Sequence, residues 1–308
     1  MNLEMLFYLL IFPGFLFTAV LGLVVGWVDR KVSARFQYRV GPPFFQNFND
    51  FFKLLGKETI LIKDTLQSLF LLAPFISFGM IVIVATLLGT TLFFNLSFGG
   101  DLIVIMYLLI IYSIMVVLGG SSTGNIFSSV GSGREIKLLL ADELAFILVL
   151  LVPIIKSGYQ INLGGIVAAQ SETMFIGSVS GFIAFVFGLL CIQAKMTLPP
   201  FHIPEAETEI VEGPFIEYSG PPLAFWKLNH YMMYVIFPFL LVLLFLGGFG
   251  FEGIEILWSV LKYLIIVVLM IIIKNTNPRV TIEDAMKFFW RYATPLTLLA
   301  VVLAVFGY

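Results

Sequence analysis

The sequence predicts an all-α integral membrane protein, and three observations carry that prediction. Of 308 residues, 60% are hydrophobic and only 12% charged, about half the charged share of soluble domains. Mean hydropathy is +1.04. The apolar residues run on for about twenty positions at a time, the length that crosses a bilayer, and do not alternate as barrel strands do. A surplus of this size, with 33 Phe in it, has to face lipid. The single Cys191 excludes a disulfide framework and any Cys-based zinc or iron–sulfur site. A net charge of −2 offers nothing to nucleic acid.

Eight stretches qualify as transmembrane helices: 3–28, 66–94, 101–119, 136–157, 174–196, 223–249, 256–273 and 292–307. Together they make 1–308 a single polytopic membrane domain. The first is too long for a secretory signal and lacks a basic start and a small-residue cleavage site, so it is expected to stay in the chain. Pro13-Gly14, Pro74, Pro153 and Pro238 fall inside spans, where membrane helices tolerate them. Residues Phe48, Phe51, Phe52, Leu55 and Thr59 line one side of an amphipathic helix in the first long connection, expected at the headgroup level.

Lys and Arg set the orientation. Fifteen of the 17 lie in or beside the first, third, fifth and seventh connections: Arg30, Lys31, Arg35, Arg39, Lys53, Lys57, Lys63, Arg134, Lys137, Lys195, Lys227, Lys274, Arg279, Lys287 and Arg291. Only Lys156 and Lys262 border the others. The positive-inside rule then makes the odd connections cytoplasmic, with both termini outside a plasma membrane. The long, charge-rich loops 29–65 and 197–222 fall on that inner face, the pattern of a protein that docks something there. No internal repeat is evident, which weighs against inverted-repeat transporters.

Ionisable groups inside a span are costly and are functional candidates by default. Asp142 and Glu143 lie in the fourth span. Adjacent residues point about 100° apart on a helix, so both can face the bundle but not one common partner. A helix-entry pair favoured by the helix dipole is the plainer reading, and Asp142 fits it. Glu143, two turns in, fits it less well, and Arg134 and Lys137 are its nearest cations in sequence. The loop 197–222 has no Lys or Arg but holds Glu205, Glu207, Glu209, Glu212 and Glu217 among Phe201, Ile203, Ile210 and Tyr218. Spacings of three, four and seven among 205, 209 and 212 suit one face of a helix beginning after Pro204. Crowded carboxylates would raise one another's pKa values and exchange protons near neutrality. His202 and His230 stand alone, with no third ligand for a metal.

These residues, taken together, resemble the respiratory complex I membrane subunit that carries the quinone chamber (subunit one, NuoH-type). They also resemble its homologues in energy-converting membrane-bound hydrogenases. The resemblance covers essentially the whole chain and rests on three motifs. Arg30-Lys31, Arg35, Gln37, Arg39, Gly41-Pro42, Gln46, Asp50, Lys53-Leu54 and Lys57-Glu58 match the family's first cytoplasmic loop. Arg134 followed by Glu143 matches its arginine and span glutamate. Pro200-Phe201, Ile203-Pro204-Glu205-Ala206-Glu207-Thr208-Glu209-Ile210-Val211, Gly213 and Glu217-Tyr218-Ser219-Gly220 match its glutamate-rich loop.

The departures are as informative. Quinone-reactive members carry Glu, Arg and Asp where this chain has Lys195, Leu198 and His202, and usually a Glu where it has His230. These changes alter the charge at the mouth of the family's quinone chamber and favour a hydrogenase-like or sulphur-reducing relative. What the resemblance implies is a coupling subunit of a redox-driven proton or sodium pump. Asp142, Glu143 and the five loop glutamates would form its carboxylate chain. Arg30, Lys31, Arg35, Arg39, Lys53, Lys57 and Arg134 would dock a peripheral arm. That arm would comprise [NiFe]-hydrogenase-like large and small subunits and a ferredoxin-like iron–sulfur subunit, with antiporter-like subunits beside it in the membrane. Iron–sulfur clusters and any [NiFe] centre would sit in those partners, and no cofactor in this chain. Two other readings stay open: a quinone-binding subunit proper, and a stand-alone secondary transporter.

The charge asymmetry generates a direct test. Single cysteines placed between 205 and 217 should resist an impermeant maleimide added outside intact cells, and strong labelling there would invert the topology.

Overall fold

A computed structural model describes residues 3–61, 66–171 and 173–308; Lys63, counted above among the inner-face cations, lies outside the described residues. Every regular element among them is helical. Seven helices are long and apolar enough to cross a membrane, and a shorter apolar one, Val179–Lys195, joins them, so each of the eight expected stretches is occupied. In chain order the elements are α1 (Leu3–Leu10), α2 (Phe15–Phe36), α3 (Gln46–Leu55), α4 (Gln67–Phe94), α5 (Asp101–Ser121) and α6 (Ile126–Lys156). Then come α7 (Leu163–Ala168), α8 (Val179–Lys195), the single turn α9 (Glu207–Ile210), α10 (Gly220–Phe245) and α11 (Glu255–Thr276). The last crossing is α12 (Ile282–Phe288), a π turn at Phe289–Ala293 and α13 (Thr294–Val305).

Helix α10 is the hub. Of its most apolar window 89% is buried, against 33% for α11 and 28% for the last crossing. A helix apolar on all sides is either enclosed by protein or bathed in lipid; α10 is the first kind, α11 and α13 the second. It packs against α2, α3, α4, α7, α8 and α11, and α6 and α8 build the other half with α13.

Three sequence expectations change. The first span is not one helix of residues 3–28. Helix α1 stops at Leu10, Pro13 packs against Gly89 of α4, and α2 restarts at Phe15 and runs to Phe36. Arg30, Lys31 and Arg35 therefore stand on a helix, not in a loop. On α3, Phe48 and Phe51 pack on the core while Phe52 and Leu55 are exposed, and Thr59 lies beyond the helix end. The residue α3 buries is polar: Asn47 donates to the Leu23 carbonyl at 2.9 Å and accepts from Arg30 at 2.7 Å.

The third change matters most for the site. Helix α6 starts at Ile126, not at 136, so the supposed loop 120–135 is mostly helix and carries Arg134 and Glu135. Asn125 caps it, accepting from the Phe127 N–H at 2.8 Å. Its small residues serve close packing: a Cβ on Gly131 would lie 2.6 Å from Pro214 Cδ and 2.8 Å from Gly213 Cα.

Gly131→Val should therefore force α6 off the 213–214 backbone and cost about 1–3 kcal/mol. Nothing lies within 4 Å of a Cβ on Gly133, so Gly133→Val should keep the wild-type melting temperature in detergent. Equal melting temperatures for the two variants would refute the close contact.

Candidate functional site

The last turn of α8 delivers Lys195 into the bundle beside α6. Its Nζ lies 2.7 Å from Glu143 Oε2 and 3.2 Å from Asp142 Oδ2, with side-chain exposures of 5%, 18% and 2% respectively. The ammonium also sits 4.6 Å from the centre of the Phe146 ring, close enough for a cation–π contribution. Two expectations fall here. Asp142 and Glu143 do share a partner, because a four-carbon stem arriving from a second helix can reach between two directions that one helix face cannot combine. Glu143 is paired with Lys195, not with Arg134 or Lys137.

Past Lys195 the chain folds a wall instead of the expected helix. Thr197 takes a positive φ of 48° just past the end of α8, and Val211, at φ 61°, breaks any continuous helix through 205–212 and leaves only the turn α9. The glutamates diverge as a result. The Glu205 carboxylate accepts from the Thr197 hydroxyl at 2.7 Å. Burial pushes its pKa up, against the opposing effects of His202 and that hydroxyl. Glu209 points outward, where Arg134 and Arg279 each donate to it at 2.7 Å. The Arg134 hydrogen bond first, and the Arg279 charge with it, hold Glu209 below its usual range, so mutual repulsion does not raise it. Glu217 is bonded to Asn125, while Glu207 and Glu212 face a chamber.

That chamber has a volume of about 740 Å³. Its walls are α2, α3, the 197–212 segment, α10 and the end of α11, with Tyr112 of α5 at the back. Trp226, Tyr231, Phe215 and Leu198 give it apolar surface; Arg30, Lys53, Lys57, Lys227, Asp50, Glu205, Glu207 and Glu212 give it charge of both signs. Asp29, which also lines the chamber, accepts from Lys274 at 2.7 Å and from the Tyr234 hydroxyl at 3.1 Å. Among the family departures, Leu198, His202 and His230 line this space, whereas Lys195 does not. Lys195 therefore changes the buried cluster and not the mouth.

The cations expected to dock a partner divide into two groups. Arg30 donates to Asn47 and Asp50, and Arg134 to Glu209 and the Ile203 carbonyl. Both ion pairs are open to solvent, with 41% of the Arg30 and 24% of the Arg134 side chain exposed. Among the described residues, Lys31, Arg35, Arg39, Lys53 and Lys57 make no ion pair. Sequence reasoning passed over Asp29, Tyr112 and Glu135, the last of which is 4% exposed. A helical signal existed: 135 and 142 are seven residues apart and share a face of α6.

The NADH dehydrogenase family model matches residues 7–305 of this chain. A NuoH-type NADH-quinone oxidoreductase subunit from Thermomicrobium roseum is 33% identical over 311 residues, covering 92% of this chain and 91% of the relative. The Bacillus mycoides protein of the same description is 32% identical, covering 91% and 88%. The chain belongs to the NADH dehydrogenase family. A chain in the structure of the membrane-bound sulfane sulfur reductase, an archaeal respiratory membrane complex, superposes on it with a TM-score of 0.87. It is 26% identical and covers 97% of this chain and 99% of that one. As a NuoH-type member this is a multi-pass membrane subunit of an oxidoreductase complex.

In this NuoH-type chain Lys195 is the sole ion-pair partner of Asp142 and Glu143 among the described residues. Removing one member of a buried pair leaves an uncompensated charge, which costs about 3–5 kcal/mol. Lys195→Met should therefore lower the melting temperature sharply. Adding Asp142→Asn and Glu143→Gln should recover most of the loss, whereas additive effects in the triple variant would show that the three do not act as one cluster.

Proposed function

We propose that this chain is the coupling subunit of a redox-driven ion pump, with its loop-rich face cytoplasmic and both termini outside. The observation that carries the reading is the Asp142–Glu143–Lys195 cluster, held inside the membrane bundle behind a chamber with a glutamate wall. When both carboxylates are ionised the cluster has one negative charge in excess, and one proton neutralises it. Electron transfer to an acceptor at the chamber draws protons toward it. The cluster senses that change through the groups between and passes a displacement of charge sideways along the membrane.

The family relationship and the likeness to a respiratory membrane complex support this reading. The cations Lys31, Arg35 and Arg39 on the loop-rich face suit a peripheral arm of opposite charge. That arm is taken to hold [NiFe]-hydrogenase-like and ferredoxin-like iron–sulfur subunits, which carry the redox centres, while antiporter-like subunits receive the signal within the membrane. The departures at Leu198 and His202 favour protons or a sulphur compound as the acceptor. A second reading, a quinone-binding subunit of an NADH- or ferredoxin-type dehydrogenase, is favoured by the aromatic surface of Trp226, Tyr231 and Phe215 in the chamber and by the names of the bacterial relatives.

Glu143→Gln keeps the side-chain shape and removes its charge. The complex carrying it should assemble, while ions moved per electron in inverted membrane vesicles fall well below wild type. Wild-type pumping in an assembled Glu143→Gln complex would leave Glu143 a structural carboxylate and remove the basis of the coupling role. Extraction in mild detergent separates this reading from a stand-alone transporter, which would come out alone or as a homodimer.

A further inference from the structure

Among the described residues, Glu135 is the buried carboxylate near the site that neither the family motifs nor the ion cluster accounts for. It is 4% exposed, and its Oε2 has no hydrogen-bond partner. It does not line the chamber. It lines a second pocket of about 10 Å³ behind it, together with Tyr112, Thr197, Glu205 and Lys195. That volume is at the threshold for a single water. Tyr112, Thr197 and Glu205 border both spaces, whereas Glu135 and Lys195 border only the inner one. The inner pocket is therefore the place where the chamber wall and the buried cluster meet, and Glu135 is the acid that borders it alone. Seven residues further along the same face of α6 stands Asp142, the partner of Lys195.

We infer that Glu135 is a proton-carrying residue between the chamber and the Asp142–Glu143–Lys195 cluster, an inference that rests on the coupling role proposed above. A protonated Glu205 gives its proton to the Tyr112 hydroxyl or to one water, which at the same time gives a proton to the Glu135 carboxylate. Glu205 is left ionised and is reprotonated from the chamber. Glu135 then holds the proton beside Lys195 and gives it up to Asp142 or Glu143, whose two carboxylates face a single ammonium, and so returns to the ionised form that accepts the next proton. No electron moves in this step. An unpartnered carboxylate oxygen is costly to bury; its cost is explained if the group changes protonation in each turnover.

The test uses the complete complex with Glu135→Gln, Glu135→Asp and, as reference, Glu143→Gln. Redox-difference infrared spectra are recorded electrochemically with methyl viologen as mediator, and ion pumping is measured in inverted vesicles driven by reduced methyl viologen. Glu135→Gln should lose a protonated-carboxyl C=O band and pump on the order of a hundredfold more slowly, with assembly unchanged. Glu135→Asp should shift that band and recover most of the rate. Wild-type pumping and an intact band in Glu135→Gln, with Glu143→Gln uncoupled, would overturn the role of Glu135 and leave the coupling role standing. Wild-type pumping in both variants would overturn the coupling role itself. Should Glu135→Gln fail to assemble, the aspartate variant decides: a redox-dependent band that does not shift in it cannot belong to this residue.

Discussion

An ammonium held between two carboxylates inside a membrane bundle is the constraint on which the rest of this structure depends. Charges at that depth are expensive unless paired, so Lys195 has to end α8 at the place where α6 presents Asp142 and Glu143. That requirement draws α8 against α6 and fixes the point at which the chain leaves the bundle. The segment beyond that point is pinned at short intervals. The Val280 N–H donates to the Pro200 carbonyl at 3.0 Å, Phe201 packs on Phe288 and Phe289, and Glu209 is clamped by Arg134 and Arg279. The glutamate segment is thus held to α6 and to the stretch from Val280 to Phe289, and Glu205 lines the chamber.

The chamber has a second anchored wall, and the two are chemically different. Asp29 is tied to Lys274 and Tyr234, a pair that joins α2, α10 and α11 with its charges matched. The Glu205 side, by contrast, backs onto a cluster with two acids for one base and onto an acid with an unpartnered oxygen. The chamber thus touches one acid whose charge is matched by Lys274 and another that backs onto an excess of carboxylates.

Much of this was legible in the sequence. The eight crossings and the concentration of charge on one face follow from continuous apolar runs and Lys/Arg counts, because lipid imposes a constraint that is local in sequence. Glu143 stood out for the same reason. Its partner did not, since Lys195 lies 52 residues away and pairing across helices is a property of packing. The expected helix through 205–212 had the right spacing but not the right backbone. Val211 at φ 61° and Gly213 at φ 53° turn the chain, and burying Ile210 against the bundle wins over continuing the helix. Glu135 was lost when α6 was begun ten residues late: the polar and small residues of 126–135 lack the apolar run that marks a span, yet the smallness of Gly131 is what lets α6 touch residues 213 and 214.

The same close contact bears on how tightly the relay is insulated. Between chamber and cluster the inner pocket is walled by Val116, Met196, Pro204 and Pro214 beside its polar groups. A pocket of about 10 Å³ holds at most a single water, so a proton crossing it would pass through side chains or that one water. Insulation of this kind is as necessary to a pump as conduction. If water connected chamber and cluster freely, the ionisation of Asp142 and Glu143 would follow the solvent rather than the redox event. Gly131 admits Pro214 to the wall of that pocket although it carries no charge itself.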